Sequence, residues 1–205
     1  MDNNITVGPV EYRQLERIAE ALVRVDERIY RTLFGDMHGE ELARAYDMVT
    51  CVPGSPLSPN YTRVAYINGV ACGICIAFHG KLKQPFTWYN FPLLEFGCPP
   101  CYEDVCERYF DEVIDETKDG VTTIMALAVL PDARRRGAGR ALLRDALDGG
   151  RRRGNDYAVL DMIEDNVFAW ELYYSEGFRT YDSMDGYAPY RVKPPRVDRM
   201  VKLLV

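Results

Sequence analysis

Residues 124–140 read IMALAVLPDARRRGAGR, and this stretch combines features of a strand, a short turn and the start of a helix. The apolar run at 124–130 ends at Pro131, as is typical of a short strand covered on both faces. Apolar residues then recur at helical spacing. This spacing predicts a helix that begins near Gly137 and contains Leu142, Leu143, Ala146 and Leu147.

The turn inside this stretch has the chemistry of a phosphate-binding site. The first turn of a helix presents unpaired backbone N–H groups and a partial positive charge, and glycine lets a ligand approach those groups closely. Arg134, Arg135 and Arg136 add positive charge directly before Gly137. The pattern of a P-loop is absent, and a dinucleotide fingerprint fails because Leu142 stands in place of its third glycine. We therefore predict a cradle for a phosphorylated cofactor of a different kind.

Two motifs in this chain resemble those of the GNAT superfamily of N-acyltransferases. The first is R-x-x-G-x-G at 134–139, directly after a strand. The second runs from Asn166 through Ala169 to Tyr173 and closes with the glycine and phenylalanine at 177–178. The final segment DRMVKLL is similar to the last strand of the family. The resemblance covers about residues 2–205 and is weakest at 36–60 and 80–120.

The resemblance implies an α/β (α+β) GNAT fold. Its sheet is mixed, mostly antiparallel, of about seven strands, splayed between strands 4 and 5, with helices on both faces. It implies a single domain over 1–205, here with an extra aromatic and acidic insertion at about 80–120. It also implies acetyl-CoA as acyl donor. The implied binding residues are Leu127, Ala128 and Val129 for the pantetheine arm, Arg134, Arg135, Arg136, Gly137, Ala138, Gly139 and Arg140 for the pyrophosphate, and Asn166 and Tyr173 beside the arm.

The catalytic residues implied by the resemblance are Tyr173 and Asp161. Tyr173 matches a position that often protonates the departing thiolate, although aromatic residues on amphipathic helices are more often core residues. Its neighbour Tyr174 is expected to pack, because adjacent helical residues point to different sides. Asp161 matches a glutamate that serves as base in relatives that acetylate protein N-termini, and the shorter side chain would act through water. A structural role for Asp161, with Glu95 of the insertion as the base, is the alternative.

Composition limits the class of protein. The chain has 205 residues, 47% of them hydrophobic, and a net charge of −6, which suits a globular domain and argues against nucleic-acid binding. The arginine cluster is thus a local positive site on an acidic body. No apolar run approaches the ~18 residues that span a bilayer, and the N-terminus does not resemble a signal peptide. We expect no membrane association and a cytoplasmic location.

The cysteines form two C-x-x-C pairs, Cys72 with Cys75 and Cys98 with Cys101, at a spacing close to that of a zinc ribbon. The first pair lies inside the apolar run 70–78. Residues three apart in a regular strand point to opposite faces, so we expect these thiols to diverge and to be core residues. A metal or redox role is the alternative, and no metal ligand is predicted.

The remaining pattern indicates alternating helices and strands. We predict helices at 10–34, 40–49, 103–116 and 166–175, with Gly149-Gly150 ending the helix that follows Gly137. Asn68-Gly69 predicts a hairpin between strands at 61–67 and 70–78. Further strands are predicted at 5–7, 157–163, 178–181 and 198–205. His38 and His79 are expected to be surface or structural residues.

Together these features predict an N-acetyltransferase that transfers an acetyl group from acetyl-CoA to a primary amine of a small molecule or peptide, by direct attack in a ternary complex. The acidic body would suit a cationic acceptor such as a polyamine or aminoglycoside. The loops expected to form the acceptor pocket are 30–60, 80–120 and 182–197. A homodimer is possible. The alternatives are a catalytically silent acyl-CoA-binding sensor or interaction domain, and a zinc-dependent module.

Overall fold

A computed structural model describes residues 4–52, 54–82, 117–186 and 194–205. The predicted aromatic segment, the helix at 103–116, Glu95 and the pair Cys98 and Cys101 all lie outside these residues.

Within the described residues, seven strands form one mixed sheet in the order β1-β2-β3-β4-β5-β7-β6, and only the pair β4–β5 is parallel. This confirms the predicted fold class. The strands are β1 (Ile5–Gly8), β2 (Thr62–Ile67), β3 (Val70–His79), β4 (Val121–Val129), β5 (Tyr157–Ile163), β6 (Arg179–Asp185) and β7 (Arg196–Leu203).

Helices cover both faces of the sheet and bury two apolar cores. The helices are α1 (Leu15–Val23), α2 (Glu27–Phe34), α3 (Gly39–Thr50), α4 (Ala138–Arg152) and α5 (Val167–Ser175), with 3-10 turns at Tyr12–Gln14 and Pro131–Ala133. Helices α1 to α3 close one core against β2 and β3, and α4 closes the other against β2 to β5. None of the helices in the described ranges is long and apolar enough to cross a membrane.

The predicted helix at 10–34 is wrong in one respect, because the chain forms α1 and α2 with a break between them. Asp26 is extended, with φ −150° and ψ 100°, and its side chain accepts a hydrogen bond from the backbone N–H of Arg28. An aspartate N-cap satisfies a donor that a continuous helix would bond internally. The break creates a corner between α1 and α2, and this corner lines the cleft of the candidate site.

Gly149 and Gly150 do not end α4, contrary to the prediction. The helix continues to Arg152, and both glycines are buried inside it. A Cβ on Gly150 would lie 2.2 Å from Oγ1 of Thr122 on β4. The glycines therefore allow close approach of the helix to the sheet, which a helix-propensity argument does not reveal.

The hairpin prediction is confirmed, since Asn68 and Gly69 have φ values of 52° and 79° between β2 and β3. The expectation that the nearby thiols diverge is wrong. Consecutive residues of β2 pair with Ala71 and Gly73, so Cys72 is the extra residue of a β-bulge. Cys72 and Cys75 therefore enter the same core, where both are buried and free.

Burial also determines the chemistry of these two thiols. It raises the pKa of Cys72 above its ordinary value and that of Cys75 to about 12. Thiols with raised pKa values are protonated at neutral pH and are poor nucleophiles and metal ligands. Cys72 and Cys75 act as small core residues.

Candidate active site

The central feature of the site is a gap between two parallel strands. β4 and β5 pair only from Val121–Tyr157 to Ile124–Leu160. Beyond that point β5 continues along β7 and β4 continues along β3, so the facing edges separate. The backbone groups of 125–129 on that edge have no partner strand among the described residues. Such an edge can pair with an extended ligand, as an added strand would.

A β-bulge marks the point of separation. Ala126 and Ile124 pair with consecutive residues of β3, which leaves Met125 as the extra residue. An extra residue twists the strand and reverses the faces to which later side chains point. Accordingly, Ile124 enters the α4 core, whereas Ala126 enters the core of α1 to α3. No local sequence pattern predicts this bulge.

The turn after β4 presents backbone N–H groups at the start of α4. Gly137 is the N-cap, with φ 93°, and Arg135 also has a positive φ of 60°. The first helical hydrogen bond runs from Ala141 N–H to the Gly137 carbonyl at 3.0 Å. The N–H groups of Ala138, Gly139 and Arg140 therefore have no partner within α4. Unpaired N–H groups at a helix start can bind an anion, so the turn stays the predicted phosphate site.

The arginine side chains around this turn have different surroundings. The Arg134 Nε donates to the Val129 carbonyl at 3.2 Å, and the Arg140 guanidinium donates to Ser175 Oγ at 3.1 Å. Arg135 is extended into solvent, 4.0 Å from Glu171. The side chain of Arg140 thus joins α4 to α5, while its backbone N–H stays at the turn.

A cleft of about 180 Å³ lies where β4 and β5 separate. It collects Leu127, Asp161, Asn166 and Tyr173, which are far apart in sequence, while Ala128 and Val129 lie further along β4. Further residues complete its wall, and those between 184 and 197 belong to a segment expected from the sequence to form the acceptor pocket. They come from the corner between α1 and α2 (Val25, Asp26, Arg28 and Ile29), the bulge (Met125) and the ends of β6 and β7 (Met184, Asp185, Gly186, Pro195, Val197 and Arg199).

Tyr173 lines this cleft. The side chain is 7% exposed and packs edge-on against Phe178, with ring centroids 5.9 Å apart. Burial raises the pKa of Tyr173 well above its ordinary value, and nearby Cys75 adds to the increase. The phenol therefore stays protonated across the physiological pH range and can donate a hydrogen bond.

Tyr174, which is expected to pack, does so on the surface of α5 and not in the core. It is 44% exposed, stacks on Trp170 at 4.7 Å and lies under the Arg179 guanidinium at 4.0 Å. The side of α5 that carries Tyr173 faces the core instead, and Ala169, four residues earlier, shares that side.

Asp161 has a specific partner that the sequence did not reveal. It lies opposite Arg199 in the β5–β7 register, and the guanidinium donates to both carboxylate oxygens, at 2.8 Å and 2.7 Å. Each carboxylate oxygen keeps a further lone pair after such a bidentate contact. Asp161 can therefore also accept a hydrogen bond from an ammonium group or a water molecule. Strand register, which decides this pairing, is not visible in the local sequence.

Asn166 is placed at the N-terminus of α5. Its Oδ1 accepts a hydrogen bond from the Ala169 backbone N–H at 3.2 Å, so it caps the helix. The Nδ2 group remains available at the edge of the cleft. The residue thus has a structural role in addition to the cofactor contact that the resemblance implied.

Comparison with known proteins agrees with this geometry. The sequence model of the Acetyltransferase (GNAT) family matches residues 97–178. Solved structures with similar folds include the ribosomal-protein-S18-alanine N-acetyltransferase of Escherichia coli, at 19% identity and TM-score 0.53, over 98% of this chain and 94% of that one. A putative acetyltransferase of Salmonella typhimurium, solved with acetyl-CoA, is 17% identical with TM-score 0.56, over 99% and 95%.

An N-acetyltransferase of Staphylococcus aureus Mu50 is 12% identical with TM-score 0.58, over 98% and 99% of the two chains. No curated protein sequence matches the chain. A mixed sheet that opens between its two parallel strands, with an arginine- and glycine-rich turn at the end of the first, defines an acetyltransferase fold. The chain has the fold of the GNAT superfamily.

Proposed function

We propose that this protein is an acetyl-CoA-dependent N-acetyltransferase, acting as a single domain on a primary amine. The observation that carries the proposal is the gap between β4 and β5, which Tyr173 lines, with the arginine- and glycine-rich turn following the end of β4. The open edge at 125–129 would pair with the pantetheine arm. The N–H groups of 138–140 would hold the pyrophosphate.

The residues present fit that donor, which supplies a thioester carbonyl and a thiolate leaving group. The amine nitrogen bonds to the carbonyl carbon, the carbon–sulfur bond breaks, and the sulfur takes the electron pair. A backbone N–H on the open edge of β4 would stabilise the oxyanion. Tyr173 would donate a hydrogen bond to the sulfur. Its raised pKa makes complete proton transfer to a thiolate unfavourable, so its role is stabilisation by donation.

Asp161 would orient the incoming ammonium group at the junction of β4, β5 and β7. The proton that the amine must lose would leave through water held at this carboxylate, because both its oxygens also bind Arg199. The Asp161 carboxylate would thus balance the positive charge of the ammonium group until the amine loses its proton. It agrees with direct transfer in a ternary complex.

The test is thiol release from acetyl-CoA with a panel of primary amines, comparing Tyr173→Phe with Tyr174→Phe. The two variants remove the same atom from adjacent residues, one in the cleft and one on the surface. Tyr173→Phe should lower kcat roughly 10²-fold or more, whereas Tyr174→Phe should match the wild type. Equal activity of all three proteins would contradict the role of Tyr173.

A domain that binds acyl-CoA without catalysis is the second candidate. It would bind CoA in a calorimetric titration while releasing no thiol with any amine. Turnover with even one amine class would eliminate it.

A further inference from the structure

A second cavity, of about 420 Å³, lies on the sheet face opposite α4 and shares a wall with the donor cleft. Tyr157, Val159 and Asp161 alternate with the β5 residues that pack under α4, so they point to this other face. The two cavities share Ile124, Met125, Leu160, Asp161 and Arg199. The cavity therefore opens onto the carboxylate where the amine would be held.

The described lining of this cavity is mostly apolar. Its walls include Val121, Val159, Tyr157, Tyr181 and Val201. The charged groups among the described lining residues are Lys118, Asp161 and Arg199, and Asp161 already binds Arg199. Among these described residues, a polycation would find one carboxylate, which is shared with Arg199, and two like charges. A volume of this size suits the body of a small organic molecule.

One polar atom in the wall has no partner. Thr123 is 8% exposed and lines the cavity, and its Oγ1 is buried without a hydrogen bond. A buried hydroxyl without a partner is unfavourable, because it has lost its hydrogen bonds to water and gained none in return. Rotation about χ1 would turn this hydroxyl towards the cavity, where a ligand group that bonds to it would recover this loss. The orphaned hydroxyl thus indicates a polar group on the ligand.

Strand geometry sets the distance between the two polar positions. Thr123 pairs with Val159, and Asp161 lies two residues further along β5. From Thr123, strand spacings place Asp161 about 7 Å away in the direction of the strands and about 5 Å away across to the neighbouring strand. An aromatic ring with a two-carbon amine arm and a hydroxyl at its far end spans such a separation.

We propose that the cavity lined by Thr123, Val159, Tyr181 and Val201 is the acceptor pocket, and that the acceptor is a primary amine on an apolar, hydroxyl-bearing body. The amine lies at Asp161 and the hydroxyl meets Thr123 Oγ1. This inference rests on the proposed acetyltransferase function and specifies its substrate class. It favours monoamines of this kind over the polyamines and aminoglycosides that the overall acidity suggested.

The experiment compares 4-hydroxyphenethylamine, phenethylamine and spermidine as acceptors for the wild type, Thr123→Val and Thr180→Val. Thr180 is an exposed strand threonine and makes a matched control. The wild type and Thr180→Val should favour the hydroxylated amine over phenethylamine about tenfold or more in kcat/KM, with spermidine the poorest. Thr123→Val should abolish the preference without changing KM for acetyl-CoA.

Calorimetric binding of 4-hydroxyphenethylamine gives a readout that does not need turnover, with Tyr181→Ala as a second, exposed wall variant. Weaker binding to both Thr123→Val and Tyr181→Ala supports the pocket. Acetylation of some amines with no hydroxyl preference and no effect of Thr123→Val overturns the pocket and leaves the enzyme intact. Binding without acetylation of any amine overturns the proposed function and supports the pocket.

Discussion

Replacing Gly150 with alanine tests how closely α4 approaches the sheet. In an exposed helix interior this substitution stabilises a protein by about 1 kcal/mol. Here the new Cβ would lie 2.2 Å from Thr122 Oγ1 and 2.9 Å from Leu204 Cδ1. Thr122 is fully buried and accepts a hydrogen bond from Asn155 Nδ2 at 2.9 Å, so it cannot move without breaking that bond.

The expected magnitude follows from these contacts. Overpacking a tight core costs about 1–3 kcal/mol, and a lost hydrogen bond costs about 1 kcal/mol. The propensity gain offsets only part of this, so Gly150→Ala should lose about 2 kcal/mol of unfolding free energy. Gly139 is the matched control, because its Cβ would meet nothing closer than 3.5 Å.

Urea unfolding followed by circular dichroism measures both variants against the wild type. Gly139→Ala should be neutral or slightly stabilised. A Gly150→Ala variant as stable as the wild type would show that α4 can move away from β4 at no cost, and the close-approach argument would fail.

Two further predictions concern Asn166 and His79. Asn166→Ala should lower the free energy of unfolding by about 1 kcal/mol. Asn166→Ser should keep the cap yet weaken acetyl-CoA binding. Equal binding by this variant and the wild type would contradict the proposed cofactor contact. Burial and the nearby Arg153 lower the pKa of His79 from 6.5 to about 4. The unfolded chain therefore binds a proton at a higher pH than the folded chain, and the free energy of unfolding should fall as the pH drops from 6.5 to 4. His79→Gln should flatten this slope in urea titrations, and an unchanged slope would refute it.

Local patterns in the sequence were sufficient to predict most of the elements. The Asn68-Gly69 turn, β5 and the start of α4 depend on steric and capping preferences of a few adjacent residues, and all three were predicted. The same local reasoning failed at 24–26 and at Gly149-Gly150. In those places a side-chain cap or a contact with a distant strand outweighs helix periodicity.

The site divides in the same way. The anion-binding turn at 134–140 is contiguous, so its residues could be recognised from their spacing. The bulge at Met125, the pairing of Asp161 with Arg199 and the unpartnered Thr123 depend on register between strands far apart in sequence. Register is fixed by the packing of whole sheet faces. The sequence alone thus determined the turn proposed to hold the donor, and the tertiary structure decided which groups surround the proposed acceptor pocket.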